Sequence, residues 1–545
     1  MNSSIRRIGI DLDNTIISYD KAFQNGAIVN GLVEEGCRLS KKALRDLIRK
    51  KSNGEFEWQK LQGFVYGEGI GAAILFPGIY RFLWRCNERD IYVEVVSHKT
   101  EFGHFDKNKT SLRDSATNFL KSHGLIESVN PLIKKVTYKS TRQEKIDYIK
   151  DNNFELFIDD LEEIIFSEQL ENQAGILFTN EELSTKKSNK VISNSWENIS
   201  ENTLGDMSEF EVESMANLVS NNIAVKNIEK LEGRGNSAIY KAYLIDTTKI
   251  AVKIYPEVGN HDRLKSEFKS TEIFKQLNFK NVQRPVSFVK NLGVASYEWI
   301  EGDRVPTYGD KEIKSALSFL RNLHKNSQVK QFQNFPMAAD ACPKGLDIEI
   351  QIKRRLAQFD LLSKKYSELD QYLTKEFKPL LKDIIYWSKT SWPLNPSYSE
   401  PIKKDKLILS PSDFGFHNSL RSKNQNLTFH DFEYFGWDDP VKLICDFSHH
   451  AAMDLSEELE QLWFSGVSEI YGKHLINRLI AAWPMYGLNW CLIILNEFKD
   501  EVWSRRCAAD KSKSNLREKY LKIQLNKSKN KLNVLSKHYQ NKFFW

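Results

Sequence analysis

The chain has 545 residues, room for two or three domains, and its 41% hydrophobic and 12% aromatic content is enough for substantial cores. A net charge of +6 with 28% charged residues lacks the strong basic excess of a dedicated nucleic-acid binder, so no nucleic-acid partner is expected. Residues 1–7 lead straight into a strand-like segment, which predicts no secretory leader, and the apolar run around Cys491 looks too short for a membrane span. Cys37, Cys86, Cys342, Cys445, Cys491 and Cys507 are scattered without a C-x-x-C pair, and read as reduced packing residues in a soluble, cytoplasmic protein.

In chain order, strand-like segments fall at 7–12, 91–97, 156–159 and 175–178, with helical patterns at 110–123 and 143–152 between them. The alternation predicts an α/β first domain over 1–184, a parallel sheet flanked by helices, with a small helical cap at about 18–78. Residues 185–224 are polar at first and read as a linker and lead-in helix. Short strands follow at 226–231, 239–244 and 250–255, then a helix at 264–277 and two strands around 285–300. A mostly helical remainder makes 225–504 a β-rich lobe followed by an α-rich one, a bilobal α+β domain. The basic stretch 505–545 carries Leu521, Leu525, Leu532, Leu535 and Tyr539 at helical spacing, which predicts an amphipathic helix.

The first strand ends in I-D-L-D-N-T-I. Asp11 and Asp13, two residues apart after a strand, fall on one side at the C-terminal edge of a parallel sheet, where ligands bind. One carboxylate can attack phosphorus, a second can protonate the leaving oxygen, and Mg²⁺ offsets the repulsion between anions. V-E-V-V-S ends a second strand with Ser97, a hydroxyl able to hold a phosphate oxygen. Lys145 lies near the start of a later helix, where a cation can balance phosphoryl charge, with Lys134, Lys135 and Lys139 as nearby rivals. F-I-D-D supplies Asp159 and Asp160, suited to Mg²⁺. In this order the motifs resemble the haloacid dehalogenase superfamily of phosphatases, over about residues 5–180, and the resemblance implies a Rossmann-like fold. It also implies Asp11 as nucleophile, Asp13 as general acid/base, Thr15, Ser97 and Lys145 as phosphate-binding, and Asp11, Asp13, Asp159 and Asp160 at Mg²⁺.

In the second half, L-E-G-R-G-N-S joins two predicted strands, and Gly233 and Gly235 would let backbone approach phosphates. I-A-V-K-I-Y carries Lys253, poised for the α- and β-phosphates of a nucleotide, with Glu267 as expected ion-pair partner and Glu272 as rival. Glu298 and Trp299 lie in Y-E-W-I-E-G, whose backbone would meet adenine. In S-D-F-G-F-H-N, Asp413 can accept the proton of an attacking hydroxyl and Asn418 can coordinate Mg²⁺; Asp431, in F-H-D-F-E, would hold metal at the ATP phosphates. His417 reads as structural, and Asp446 as ordering the loop from behind. These motifs resemble the aminoglycoside phosphotransferase and choline kinase group, over about residues 225–500, and the resemblance implies a protein-kinase-like fold. That group has His-Gly before the aspartate, where this chain has Pro411-Ser412.

Both resemblances together imply a bifunctional, Mg²⁺-dependent phosphatase and ATP-dependent kinase. Its substrates would be a phosphate ester and a sugar, polyol or amino alcohol, as in preparing a sugar phosphate for surface-polysaccharide synthesis. Alternatives are a nucleotide-sensing pseudokinase scaffold on an active phosphatase, a drug- or toxin-modifying kinase, and nucleic-acid end repair.

Overall fold

In the computed structural model, residues 5–37, 39–105, 108–179, 189–231, 237–257, 261–509 and 515–540 are described. The contacts divide the chain into two compact units. One is Met1–Ser214 with Pro256–Gly259 and Asn291–Gly293; the other is Met215–Tyr255, Asn260–Lys290 and Val294–Trp545.

The first unit is built on a parallel sheet of six strands: β1 (Arg7–Ile10), β2 (Tyr92–His98), β3 (Lys135–Lys139), β4 (Leu156–Asp159), β5 (Gly175–Phe178) and β6 (Lys190–Ser193). Their order is β3-β2-β1-β4-β5-β6, so β1 lies inside the sheet between the strands carrying Ser97 and Asp159. β4 and β5 are buried at every position, which is why they read as continuous apolar runs rather than alternating ones. Ile10 is in register with Val95 and Ile158. That register brings Asp11, Ser97 and Asp159 to one edge of the sheet. The expected cap is helical, with helices Asp20–Val29, Lys41–Arg49 and Gly54–Tyr66, and is closed at its base by an antiparallel pairing of Ile17–Ser18 with Ile74–Leu75.

The stretch expected as a linker is instead structured in part. β6 extends the sheet, and a helix at Trp196–Leu204 follows, N-capped by Ser195. Its polar composition fits an edge strand, which needs apolar residues on only part of its surface. Glu211 closes the unit: its carboxylate takes Arg85 at 3.0 Å and Arg89 at 2.7 Å. Burial alone would raise its proton affinity, but the two guanidiniums and the Ser208 amide lower it to about 2.

The second unit is α+β. An antiparallel sheet of β7 (Val225–Lys230), β8 (Ala238–Leu244), β9 (Lys249–Ile254), β10 (Pro285–Val289) and β11 (Val294–Glu298) runs in the order β10-β11-β9-β8-β7. The helix Arg263–Gln276 lies between β9 and β10 in the chain, and long helices follow. Lys473–Phe498 does have the length and composition to cross a membrane, contrary to the sequence reading, but 83% of its apolar window is buried in the protein. The basic C-terminal helix Arg517–His538 packs against it through Leu521, Leu525, Leu532 and Leu535. The fit includes a Ser528 hydroxyl that donates to the Cys491 carbonyl at 3.0 Å.

Candidate functional site

Each unit brings its sequence motifs together in a cluster of buried charge. In the first, the helix Arg142–Asp151 is N-capped by Thr141, and this cap sets Lys145 on its first full turn. Lys145 is 1% exposed, and its ammonium bonds Asp11 and, at 2.7 Å, Asp159. Burial opposes its charge, yet the two carboxylates outweigh it and raise its proton affinity. Carboxylate oxygens of Asp11, Asp159 and Asp160 lie within 4.8 Å of one another. Burial pushes Asp11 well above the usual carboxylate range; burial and the neighbouring Asp159 push Asp160 to about 7. A largely buried, oxygen-only cluster of three carboxylates suits a hard divalent cation such as Mg²⁺. The Thr15 and Ser97 hydroxyls are buried with no hydrogen-bond partner among the described residues.

Asp13 stands outside that trio of oxygens. It accepts a hydrogen bond from the Tyr19 hydroxyl at 2.7 Å and pairs with Lys99 at 2.6 Å, so its side chain is not placed with the carboxylates expected at the metal. Lys99, Tyr19 and Lys41 are residues at the site that the sequence reading did not single out. Lys99 directly follows the Ser97-His98 strand end, which was a usable signal; Tyr19 and Lys41 come from the cap region and had none. The Lys41 ammonium donates to the Tyr66 hydroxyl at 2.9 Å and to Asn14 at 3.3 Å. The rival lysines are engaged elsewhere: Lys134 bonds Asn87, Lys135 bonds Tyr148, and Lys139 lies over the Tyr148 ring.

In the second unit, β9 delivers Lys253, which is 5% exposed, to three carboxylates: Glu267 and Asp431 at 2.6 Å and Glu433 at 3.1 Å. Burial works against the Lys253 charge, and the acids overcome it. Glu267 is fixed by the Tyr255 hydroxyl at 2.7 Å and the Gln283 amide at 2.5 Å, whereas the rival Glu272 is exposed. Asp413 follows a strand, Ile408–Ser410, paired with Gly436–Asp438. Ser412 before it sits at φ +67°, a left-handed conformation, and its amide donates to Ser410 Oγ at 3.0 Å. The Asn418 side chain closes the loop by donating to the Asp413 carbonyl at 2.9 Å, and the His430 amide, next to Asp431, donates to the Asn418 carbonyl at 3.0 Å.

The Asp413 carboxylate meets two imidazoles, His417 Nε2 and His450 Nε2, each at 3.2 Å from Oδ1. The two rings stack at 3.8 Å with planes 9° apart. Burial favours the neutral acid, but the histidines win and hold Asp413 well below the usual range. Burial lowers the proton affinity of His450. The sequence reading missed His450, which lies at the end of the helix Pro440–His449 with no spacing to link it to Asp413.

Asp446 does not order the loop as expected. It accepts from Lys442 at 2.7 Å and from the Trp490 indole at 2.8 Å, because its position on that helix turns it towards Trp490; His450, four residues on, contacts Asp413 instead. Trp299 follows β11, its amide bonded to the Lys249 carbonyl; Glu298 is exposed. Gly233 and Gly235 lie outside the described residues.

No protein-family model matches the chain, and no curated protein matches it. Among solved structures, a spectinomycin phosphotransferase in complex with ADP and spectinomycin is similar at 15% identity, over 60% of this chain and 98% of that one, with a TM-score of 0.43. A Plasmodium vivax ethanolamine kinase is similar at 13% identity over 60% of this chain and 87% of that one, with a TM-score of 0.38. A choline kinase from Streptococcus pneumoniae is similar at 14% identity over 60% of this chain and all (100%) of that one, also at 0.38.

Proposed function

We propose that the chain carries out two phosphoryl transfers on small molecules: ATP-dependent phosphorylation of a sugar or polyol hydroxyl in the second unit, and phosphomonoester hydrolysis in the first. The kinase reading is carried by the Lys253–Glu267–Asp431 cluster together with a loop that presents Asp413 and Asn418. Lys253 would hold the nucleotide's phosphates while Glu267, itself locked by Tyr255 and Gln283, keeps the lysine aimed. Asp413, kept anionic by its two histidines, would orient the acceptor hydroxyl and take its proton as the oxygen bonds to the γ-phosphorus. Asp431 and Asn418 are the residues that would hold Mg²⁺ here.

The phosphatase reading is supported by a buried carboxylate, Asp11, beside a buried lysine and two hydroxyls that lack partners among the described residues. Such hydroxyls are costly to leave unmet, and phosphoryl oxygens would meet them. Asp11 would attack phosphorus and become an aspartyl phosphate, while Asp13, oriented by Tyr19 and Lys99, gives the leaving oxygen its proton. Asp11, Asp159 and Asp160 would hold Mg²⁺, which neutralises the charge shared between carboxylate and phosphoryl group.

The test is mass spectrometry on pooled sugars, polyols, amino alcohols and their phosphates with Mg-ATP. Wild type would be compared with Asp11→Asn and Asp413→Asn. A gain of one phosphate that disappears only in Asp413→Asn is expected; its absence with every acceptor would remove the kinase reading and leave the phosphatase half to stand or fall on phosphate release.

A further inference from the structure

The second unit contains a cavity of about 1100 Å³ lined in part by Asp413, His450 and Trp490. Its carboxylates are already matched. Asp446 is held by Lys442, Glu497 by Arg506 at 3.0 Å and Asp500 by Arg517 at 2.5 Å; Glu501 is not free either. Asp413 faces its two imidazoles. Apart from Asp413, whose partners are imidazoles that carry charge only when protonated, a cationic acceptor entering here would find no unmatched carboxylate among the described residues to receive its ammonium group.

Asp340 serves two guanidiniums at once, Arg354 at 2.9 Å and Arg355 at 3.1 Å. Arg355 lines the cavity, and its Nε is buried with no hydrogen-bond partner among the described residues. Two amide oxygens on the same wall, Asn489 Oδ1 and Asn496 Oδ1, are also buried and unmatched; Asn489 is only 4% exposed. A guanidinium N–H in want of an acceptor and two amides in want of partners describe a ligand that brings both an anion and hydroxyls.

We propose that the acceptor is a polyhydroxylated molecule already carrying one anionic group, a phosphate or a carboxylate, received by Arg355, with Asn489 and Asn496 meeting its hydroxyls. The proposal rests on the kinase reading above and narrows its substrate. In the transfer, the acceptor O–H gives its proton to Asp413, its oxygen bonds to the γ-phosphorus, and the bond from that phosphorus to the β–γ bridging oxygen breaks, releasing ADP. Arg355 stays outside this exchange and acts as a specificity-determining residue.

The experiment uses the full chain with Mg-ATP and four matched probes of each skeleton (glycerol, erythritol, ribose, glucose): the neutral polyol or sugar, its phosphate, its carboxylate and its amine. Wild type is expected to show kcat/KM about ten-fold or more higher for an anionic form than for its neutral or amino counterpart. The phosphate and carboxylate arms identify which anion is taken. Arg355→Gln should erase that preference by raising KM for the anionic probe, Arg355→Lys should retain part of it, and KM for ATP should stay constant in both. A preference for neutral or amino probes, or an anionic preference that survives Arg355→Gln, overturns the proposal while leaving the kinase reading intact. No Asp413-dependent transfer to any probe overturns both.

Discussion

Lys145 and Lys253 are both buried ammonium groups among carboxylates, but they stand differently towards the group proposed to react. Lys145 pairs with Asp11 itself, so one contact both balances charge and touches the nucleophile. Lys253 pairs with Glu267, Asp431 and Glu433, while Asp413 is held apart by two imidazoles. In the first unit charge balance and reactivity are one contact; in the second they are divided between two sets of side chains. The first arrangement ties nucleophile strength to whatever neutralises Asp159 and Asp160. The second lets the base be tuned independently of the phosphate-holding lysine.

The largest effect should come from the reacting carboxylates. Asp11→Asn is expected to lower phosphate release by about 10³-fold or more while sparing ATP-dependent transfer, and Asp413→Asn to do the reverse. Parallel assays of both products check this, and loss of both activities in a folded single variant would break the separation of the two sites.

Next come the lysines. Lys145→Met and Lys253→Met each leave buried acids unmatched and should cost about 3–5 kcal/mol in a denaturant titration. If the division of labour holds, a second change distinguishes them: adding Asp11→Asn to Lys145→Met should recover part of the loss, whereas Asp413→Asn should recover none of the loss in Lys253→Met.

A smaller effect follows from pH. Asp160 binds its proton more tightly folded, near 7, than an ordinary aspartate, near 3.8. Its contribution to stability is therefore full below the unfolded value and lost as pH rises through about 7. Glu211, lowered to about 2, has the opposite sign: its contribution is present above the ordinary glutamate value and lost as pH falls through about 2. Mg²⁺ should accordingly raise the melting temperature of the first unit more at pH 8 than at pH 5, and Asp160→Asn should flatten that difference. Equal Mg²⁺ shifts at both pH values would separate cation binding from the Asp11–Asp159–Asp160 cluster.

Smallest is a packing change behind the Asp413 loop. A Cβ on Gly436 would sit 2.5 Å from the Ala338 backbone nitrogen, so Gly436→Ala should cost about 1–3 kcal/mol. If the base is positioned from behind by this strand pair, Asp413-dependent transfer should fall with it and phosphate release should not.

Much of the framework could be read because apolar runs and motif residues coincide: β1, β2 and β4 end at or beside residues already singled out by their chemistry, and β5 is a continuous buried apolar run. β3 and β6 were missed, since K-V-T-Y-K and K-V-I-S are partly exposed edge strands whose lysines mask the pattern. Side chains that come to a site from a distant element are the harder class. Asp11 and Lys145 were legible because each sits at the end of a strand or the start of a helix. His450 and Lys41 were not, because only tertiary packing brings them to Asp413 and to Asn14; Tyr19 lies six residues from Asp13, but no motif marks it. The Pro411-Ser412 departure proved readable in hindsight: Ser412 takes up the left-handed backbone that a glycine adopts without strain.

The sixth strand bears on how the chain could be taken apart. A fragment ending near residue 184 would leave β5, buried at all four positions, as an open hydrophobic edge, a template for pairing between molecules. It would also lose the Trp196 indole, which donates to the Thr15 carbonyl at 2.9 Å and so steadies the turn after Asp13. Dissection of the first unit should therefore keep the chain through Glu211; a cut made where the composition turns polar would yield an aggregate that misreports the chemistry of an intact site.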